Sequence, residues 1–252
     1  MKRTVRISAL LVAVLMLLSL CGCGSSNHSS QSYTAAREDG AYAADYDVDR
    51  ITEFNGAGIR LSEELIEKLK KRLSGLSEDD LLILSGSIPN GAEKTLYREL
   101  MASTRARVIL DTYGEALTAA LPLEPFLIKP NDEEIEGLAG HPIETEEDLL
   151  QEMRKLRSLG AKNVMVSSGG RGAALLAETG AYFSCTVPKV PEGRPFNTVA
   201  AGDSMIAGFI HEYQKSQDYE RALRFAVTVG TAAAYSEWLP EKAFIQELYQ
   251  DH

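Results

Sequence analysis

Residues 197–210, read as NTVAAGDSMIAGFI, bring small residues and a carboxylate to the start of an apolar, helix-prone run. The first N–H groups of a helix have no partner within it, so Ala200, Ala201, Gly202 and Asp203 could cradle an anion such as phosphate. The Asp203 carboxylate could then take a proton from a nucleophile held beside that anion. A plainer role is the commoner one for such residues taken alone. Aspartate is a favoured N-cap, and small residues before it suit a tight turn.

The elements around this stretch decide how such a carboxylate would be placed. The short apolar runs 81–84, 108–110, 126–128 and 163–167 read as buried strands. Helical periodicity lies between them at Glu63–Leu73, Ala92–Ser103 and Glu146–Leu159, the last opened by a Thr145/Asp148 capping-box pair. Alternating strands and helices predict an α/β fold, a parallel twisted sheet with helices on both faces. GAALLA and AYFSCTV, on either side of Glu178-Thr179-Gly180, predict an added hairpin. Each strand is followed by a polar cluster: SGSIPNG, DTYG, KPNDEE and SGGRG. Open parallel sheets bind ligands beyond the carboxyl ends of their strands, so four such clusters predict a site along one edge.

The chain of 252 residues is 44% hydrophobic and 25% charged, a globular balance. A net charge of −10 argues against nucleic acid or an anionic membrane surface as a general partner, but not against a phosphate ligand held by local amides. Lys2, Arg3 and Arg6 precede an apolar run ending in Leu20-Cys21-Gly22-Cys23, the pattern of a signal peptide over 1–22 with a lipobox-like end. This predicts lipidation at Cys23 and a membrane anchor, with the polar segment 23–50 as a tether. Cys185 is the one cysteine beyond the lipobox-like end, which leaves no internal disulfide framework.

Residues 51–252 resemble the ribokinase-like sugar kinases of the phosphofructokinase B family, most nearly their 1-phosphofructokinase branch. NTVAAGDSMIAGF is similar to that family's C-terminal signature, with Ala200 where the family carries glycine, a mild departure if the position needs no positive φ. LSGSIPNG, LIKPNDEEIEGLAG and VSSGGRGAALL follow in the family's order, and TEFNGAG resembles the strand leading out of its lid.

The resemblance implies that Asp203 is the general base and that Ala200, Ala201 and Gly202 form the anion hole. It also implies that Asp203, Gly202, Lys129, Asn131 and the loop Ser167, Ser168, Gly169, Gly170, Arg171 and Gly172 meet ATP. Glu134 would serve Mg2+, through water. Simpler roles stay open for several of these: Glu134 as a first-turn acid, Lys129 as a solvated loop residue, the glycines as a turn and Arg171 as a solvent-exposed side chain.

The implied reaction is ATP-dependent phosphorylation of fructose 1-phosphate to fructose 1,6-bisphosphate, with tagatose 6-phosphate as the rival substrate. The family's opening third, with its substrate-side aspartate, Gly-Gly-Lys-Gly stretch and lid strands, has no counterpart in this reading. The expected kinase domain is therefore incomplete at its N-terminal side and its turnover impaired. The alternatives are a non-catalytic anchored lipoprotein and a kinase remnant joined in frame to a foreign leader. The leader implies a membrane-anchored location and the kinase chemistry a cytoplasmic one.

Overall fold

The computed structural model describes residues 60–89, 91–250 and 252. The expected leader, tether, Cys23 and TEFNGAG lie outside the described residues. No helix among them is long and apolar enough to cross a membrane.

Helix α1 (Glu63–Leu73) leads into β1 (Leu81–Ser85), α2 (Leu96–Ala102), β2 (Arg107–Asp111) and α3 (Gly114–Ala120). Then come β3 (Leu127–Ile128), α4 (Asp132–Ala139), α5 (Glu146–Ser158), β4 (Asn163–Ser167) and the hairpin β5 (Ala173–Leu176) and β6 (Tyr182–Cys185). Helices α6 (Ala201–Ser216), α7 (Tyr219–Ala234) and α8 (Lys242–Gln250) complete the chain. The six strands lie in the order β1-β2-β3-β4-β5-β6. The first four are parallel, while β4–β5 and β5–β6 pair antiparallel.

The strands read as unbroken apolar runs because both sheet faces are covered, and their side chains still alternate. Val108, Leu110, Val164, Val166, Ala174 and Leu176 belong to one core, packed with Leu73, Leu100, Leu117 and Met153 from α1, α2, α3 and α5. Ile109, Met165, Ala173 and Leu175 face the other way, onto Ile206, Phe209, Leu223 and Ala226 of α6 and α7. Helices therefore lie on both faces of the sheet, as expected.

Local chemistry sets the helix ends. Ser62 caps α1 through the N–H of Leu65, and the helix carries acids in its first turn and bases in its last. Thr145 and Asp148 form the anticipated capping box of α5. The helix expected from Ala92 is regular only from Leu96. Gly91 has φ +85, and Ala92 and Leu96 each bond back three residues, so this segment turns before it coils. The strand expected from Phe126 is regular only at Leu127–Ile128, although the Phe126 N–H still bonds Val108 O at 2.7 Å. Pro130 ends the run soon after.

Gly208 and Gly230 let α6 and α7 approach closely. A Cβ on Gly208 would stand 3.0 Å from Val229, and one on Gly230 would be 2.3 Å from Met205 Cγ. This tight pair fixes the direction in which the N-terminus of α6 points.

A tighter constraint sits between β4 and β5. Gly172 has φ 103 and ψ −134, and a Cβ there would lie 1.9 Å from the Cys185 carbonyl oxygen of β6. Gly172→Ala is expected to destabilise the protein by about 3 kcal/mol, from backbone strain and steric overlap together. Urea denaturation measures this, and an unchanged midpoint would contradict the packing of the hairpin on this loop.

Candidate active site

The ends of β1, β2 and β3 bring Ser85, Asp111 and Lys129 to the N-terminus of α6. Asp203 is not the cap of that helix. Ala200 occupies the N-cap position, and Asp203 is the third residue within the helix. The entering loop is held by Asn197 N–H to Ala234 O (2.7 Å) and by Val199 N–H to Asn197 Oδ1 (3.0 Å). The Ala201 N–H donates to Thr198 O at 3.1 Å, so this amide of the expected anion hole is already engaged. The N–H groups of Gly202 and Asp203 have no acceptor among the described residues, and they face outward at the positive end of the helix dipole.

Ala200 departs from the expectation of a mild substitution. It adopts φ 62 and ψ 4, the left-handed region, where a Cβ is strained by about 1 kcal/mol or more.

Lys129, at the end of β3, lies beneath Gly202. A Cβ on Gly202 would stand 3.0 Å from Lys129 Nζ, so glycine is what lets the helix sit over the ammonium. Lys129 is only 7% exposed and is not a solvated loop residue. It pairs with Asp111 Oδ1 at 3.3 Å. Burial opposes its charge, but Asp111, Glu134 and Asp203 outweigh that effect and lift the ammonium above the ordinary lysine range.

Asp203 is an exposed residue, and its Oδ1 accepts a hydrogen bond from Ser85 Oγ at 3.3 Å. Lost hydration and then the like charge of Asp111 raise its carboxyl above the ordinary aspartate range, opposed by Lys129 and Ser85. Glu134 completes a capping box on α4: its Oε2 accepts from Asn131 N–H at 2.9 Å, and its N–H donates to Asn131 Oδ1 at 2.8 Å. Oε1 stays outside the cap. Burial raises this carboxyl as well.

The Ser167–Gly172 loop joins the other side of α4. Ser167 N–H donates to Pro130 O at 3.1 Å, and Ser168 Oγ donates to Asp132 Oδ1 at 2.7 Å. Arg171 pairs with Asp132 Oδ2 at 2.8 Å, its side chain 76% exposed. Gly169 and Gly170 form a single 3-10 turn with Arg171. Among the described residues, no hydrogen bond or ion pair links this loop directly to Asp203. Lys129, Asn131, Glu134 and Asp203 thus form the centre, and residues 167–172 form a flank.

Sequence reasoning missed Asp111, Ser85, Tyr97 and Thr112. Asp111 and Ser85 each end a buried strand within a polar cluster already seen, and that position was the available signal. Thr112 lies in the DTYG cluster too, whereas Tyr97 gave no signal, because its role is to hydrogen-bond the Ser85–Gly86 backbone.

Residues 27–237 match the pfkB family of carbohydrate kinases, a span well over half of the chain. The chain belongs to this family. Its first matched residue lies within the stretch expected as a tether. Within the pfkB family, the chain is 38% identical to 1-phosphofructokinase of Bacillus subtilis over 200 residues, 78% of this chain and 65% of that protein. It is 30% identical to D-tagatose-1-phosphate kinase of Klebsiella oxytoca, covering 77% and 63%. The chain therefore spans less than two thirds of the length of these curated relatives. Phosphofructokinase-2 from Escherichia coli, solved in complex with fructose-6-phosphate, superposes with a TM-score of 0.72 at 26% identity, covering 81% of this chain and 66% of that one. Ribokinase of Arabidopsis thaliana, at 22% identity and a TM-score of 0.57, shares the fold over 75% and 60% of the two chains.

The strained Ala200 yields a stability test. Ala200→Gly is expected to raise stability by about 1 kcal/mol, because glycine adopts this backbone without a Cβ penalty. A melting temperature that falls would show that the turn does not hold the left-handed conformation.

Proposed function

We propose that the chain is an ATP-dependent sugar-phosphate kinase that phosphorylates the 6-hydroxyl of fructose 1-phosphate. The observation that carries this reading is the placement of the Asp203 carboxylate beside two unpaired amides, over the buried cation of Lys129. A carboxylate close to amides that would bind a phosphate can deprotonate an alcohol only a bond length from the transferred group.

In the proposed reaction, the acceptor oxygen forms a bond to the γ-phosphorus of ATP while the bond to the β–γ bridging oxygen breaks. The alcohol proton passes to Asp203, and ADP carries away the electron pair. The Gly202 and Asp203 amides and the Lys129 ammonium would stabilise the charge on the transferred group, the main task in phosphoryl transfer. Asn131 and residues Ser167–Gly172 would line the nucleotide side.

Among the described residues, no three His, Cys, Asp or Glu side chains are grouped to hold a metal ion. The donors present fit a magnesium that keeps its waters and the phosphates as ligands, with Glu134 Oε1 the carboxylate left to meet it through water. When bound, magnesium would neutralise phosphate charge during transfer.

Both named relatives act on ketohexose 1-phosphates by their names, which favours this substrate class. The rival to test is then tagatose 1-phosphate, beside the tagatose 6-phosphate expected from the sequence.

ADP formation by the full chain with ATP, magnesium and each sugar phosphate tests the proposal. Fructose 1-phosphate is expected to give the highest kcat/KM, and Asp203→Asn to lower kcat by about 10²-fold or more. The base must be ionised to act, and its pKa lies above the ordinary aspartate value of about 4. Rate should accordingly fall as pH drops through that raised value, earlier than for an ordinary aspartate. Turnover of no sugar phosphate would overturn the proposal, and an Asp203→Asn rate within a few-fold of the unmodified chain would remove Asp203 as base.

A further inference from the structure

Ser85 closes β1 and pairs in register with Asp111 at the end of β2. Side chains alternate along a strand, so Ser85 shares a face with Leu81 and Ile83, and Asp111 shares one with Ile109. These apolar residues pack toward α6 and α7. Ser85 and Asp111 therefore stand side by side on the face where α6 begins. We propose that Ser85 is a positioning residue for Asp203, holding Oδ1 so that Oδ2 is presented to the acceptor hydroxyl. The inference rests on the kinase reading above and extends it to a residue at the end of β1.

The geometry limits what the serine hydroxyl can do. It lies 3.3 Å from Asp203 Oδ1 and 3.5 Å from Asp111 Oδ2, and it has one proton to donate. Asp111 has a second partner in Lys129, at 3.3 Å. Its charge is compensated without the serine, and the Ser85 proton is left for Asp203. The groups facing Asp203 are then Ser85 from β1, Asp111 from β2 and Lys129 after β3, with Glu134 of α4 behind the lysine.

The backbone under this hydroxyl is fixed with unusual care. Tyr97, 1% exposed, donates its phenolic proton to Ser85 O (2.8 Å) and Gly86 O (3.1 Å). Thr112 Oγ1 donates to Gly86 O at 2.9 Å, and Gly86 N–H donates to Asp111 O at 2.9 Å. Three groups thus hold a two-residue turn, and Ser85 can re-aim only by rotating its side chain. A carboxylate on an open helix end has two equivalent oxygens and a free rotor. A donor locked against one of them selects the other for proton transfer, which needs contact at hydrogen-bond distance.

The test uses the full chain with ¹³C-carboxyl aspartate, the Asp203 signal being identified by its loss in Asp203→Asn. In Ser85→Ala the Asp203 midpoint should rise by about half a pH unit or more, since a donor to the charged form is removed. With fructose 1-phosphate, kcat should fall about tenfold, the KM for ATP should stay within about twofold, and the acid limb of kcat/KM should move up with the midpoint. Ser85→Thr, which keeps the hydroxyl, should restore both. An unmoved Asp203 midpoint overturns the proposal, even if kcat falls, because a loosened strand end would slow the reaction without changing that titration. Failure of Ser85→Thr to restore the midpoint overturns it too. A shifted midpoint in a chain that phosphorylates no sugar would keep the contact and remove the kinase reading, so the two fail separately.

Discussion

A lysine ammonium almost wholly withdrawn from water is the charge around which this site is organised. Removing such an ion from solvent costs several kcal/mol unless carboxylates and hydrogen bonds replace its hydration. Lys129 meets that demand through Asp111 at 3.3 Å, with Glu134 and Asp203 contributing from further away. Those requirements propagate. A Cβ at position 202 would stand 3.0 Å from Nζ, so the ammonium would have to give way by a few tenths of an ångström. Asp111 must end β2, and α4 must start close enough for its capping glutamate to add its charge. Burial first, and then repulsion by the like charge of Asp111, raises the carboxyls of Asp203 and Glu134, while the same acids keep Lys129 charged.

The two helices behind Asp203 supply rigidity. A helix terminus carries an anion well only if its amides cannot swing away, and the fixed N–H groups of α6 depend on how tightly α6 and α7 are joined. Small residues at Gly208 and Gly230 make that joint close, while Phe209 and Ile206 anchor the same helix to the sheet. The left-handed Ala200 is the cost of turning the chain sharply into that helix. Strain at such a junction is consistent with a functional position held by its surroundings.

The strands and half of the helices could be read from sequence because their signals are local: buried apolar runs, helical periodicity, the capping box at Thr145 and the glycines before the hairpin. The start of the expected Ala92 helix differs because Gly91 takes a positive φ, a turn that periodicity does not encode. Asp203 and Lys129 were legible through their motifs and through resemblance. Asp111 and Ser85 were not, because their importance comes from strand register, which places two residues 26 apart side by side. The need for glycine at 172 and the close approach of Nζ to Gly202 were likewise hidden until the neighbouring atoms were in place. Whether alanine at position 200 is a mild departure turned on its φ, which is set by the path of the chain and not by composition.

The hydrogen bond from Ser85 to Asp203 joins residues 118 apart in the chain. The β5–β6 hairpin and the α6–α7 pair, by contrast, each unite neighbouring segments. Local units form early and cheaply, whereas parallel strands with long crossovers demand loop closure before any contact rewards it. A chain halfway to its native state can hold those hairpins and helices and still have no base opposite its serine and no cation under its glycine. In this architecture the chemistry depends on contacts far apart in the chain, and it is complete only when β1, β2, β3 and α6 have all come together.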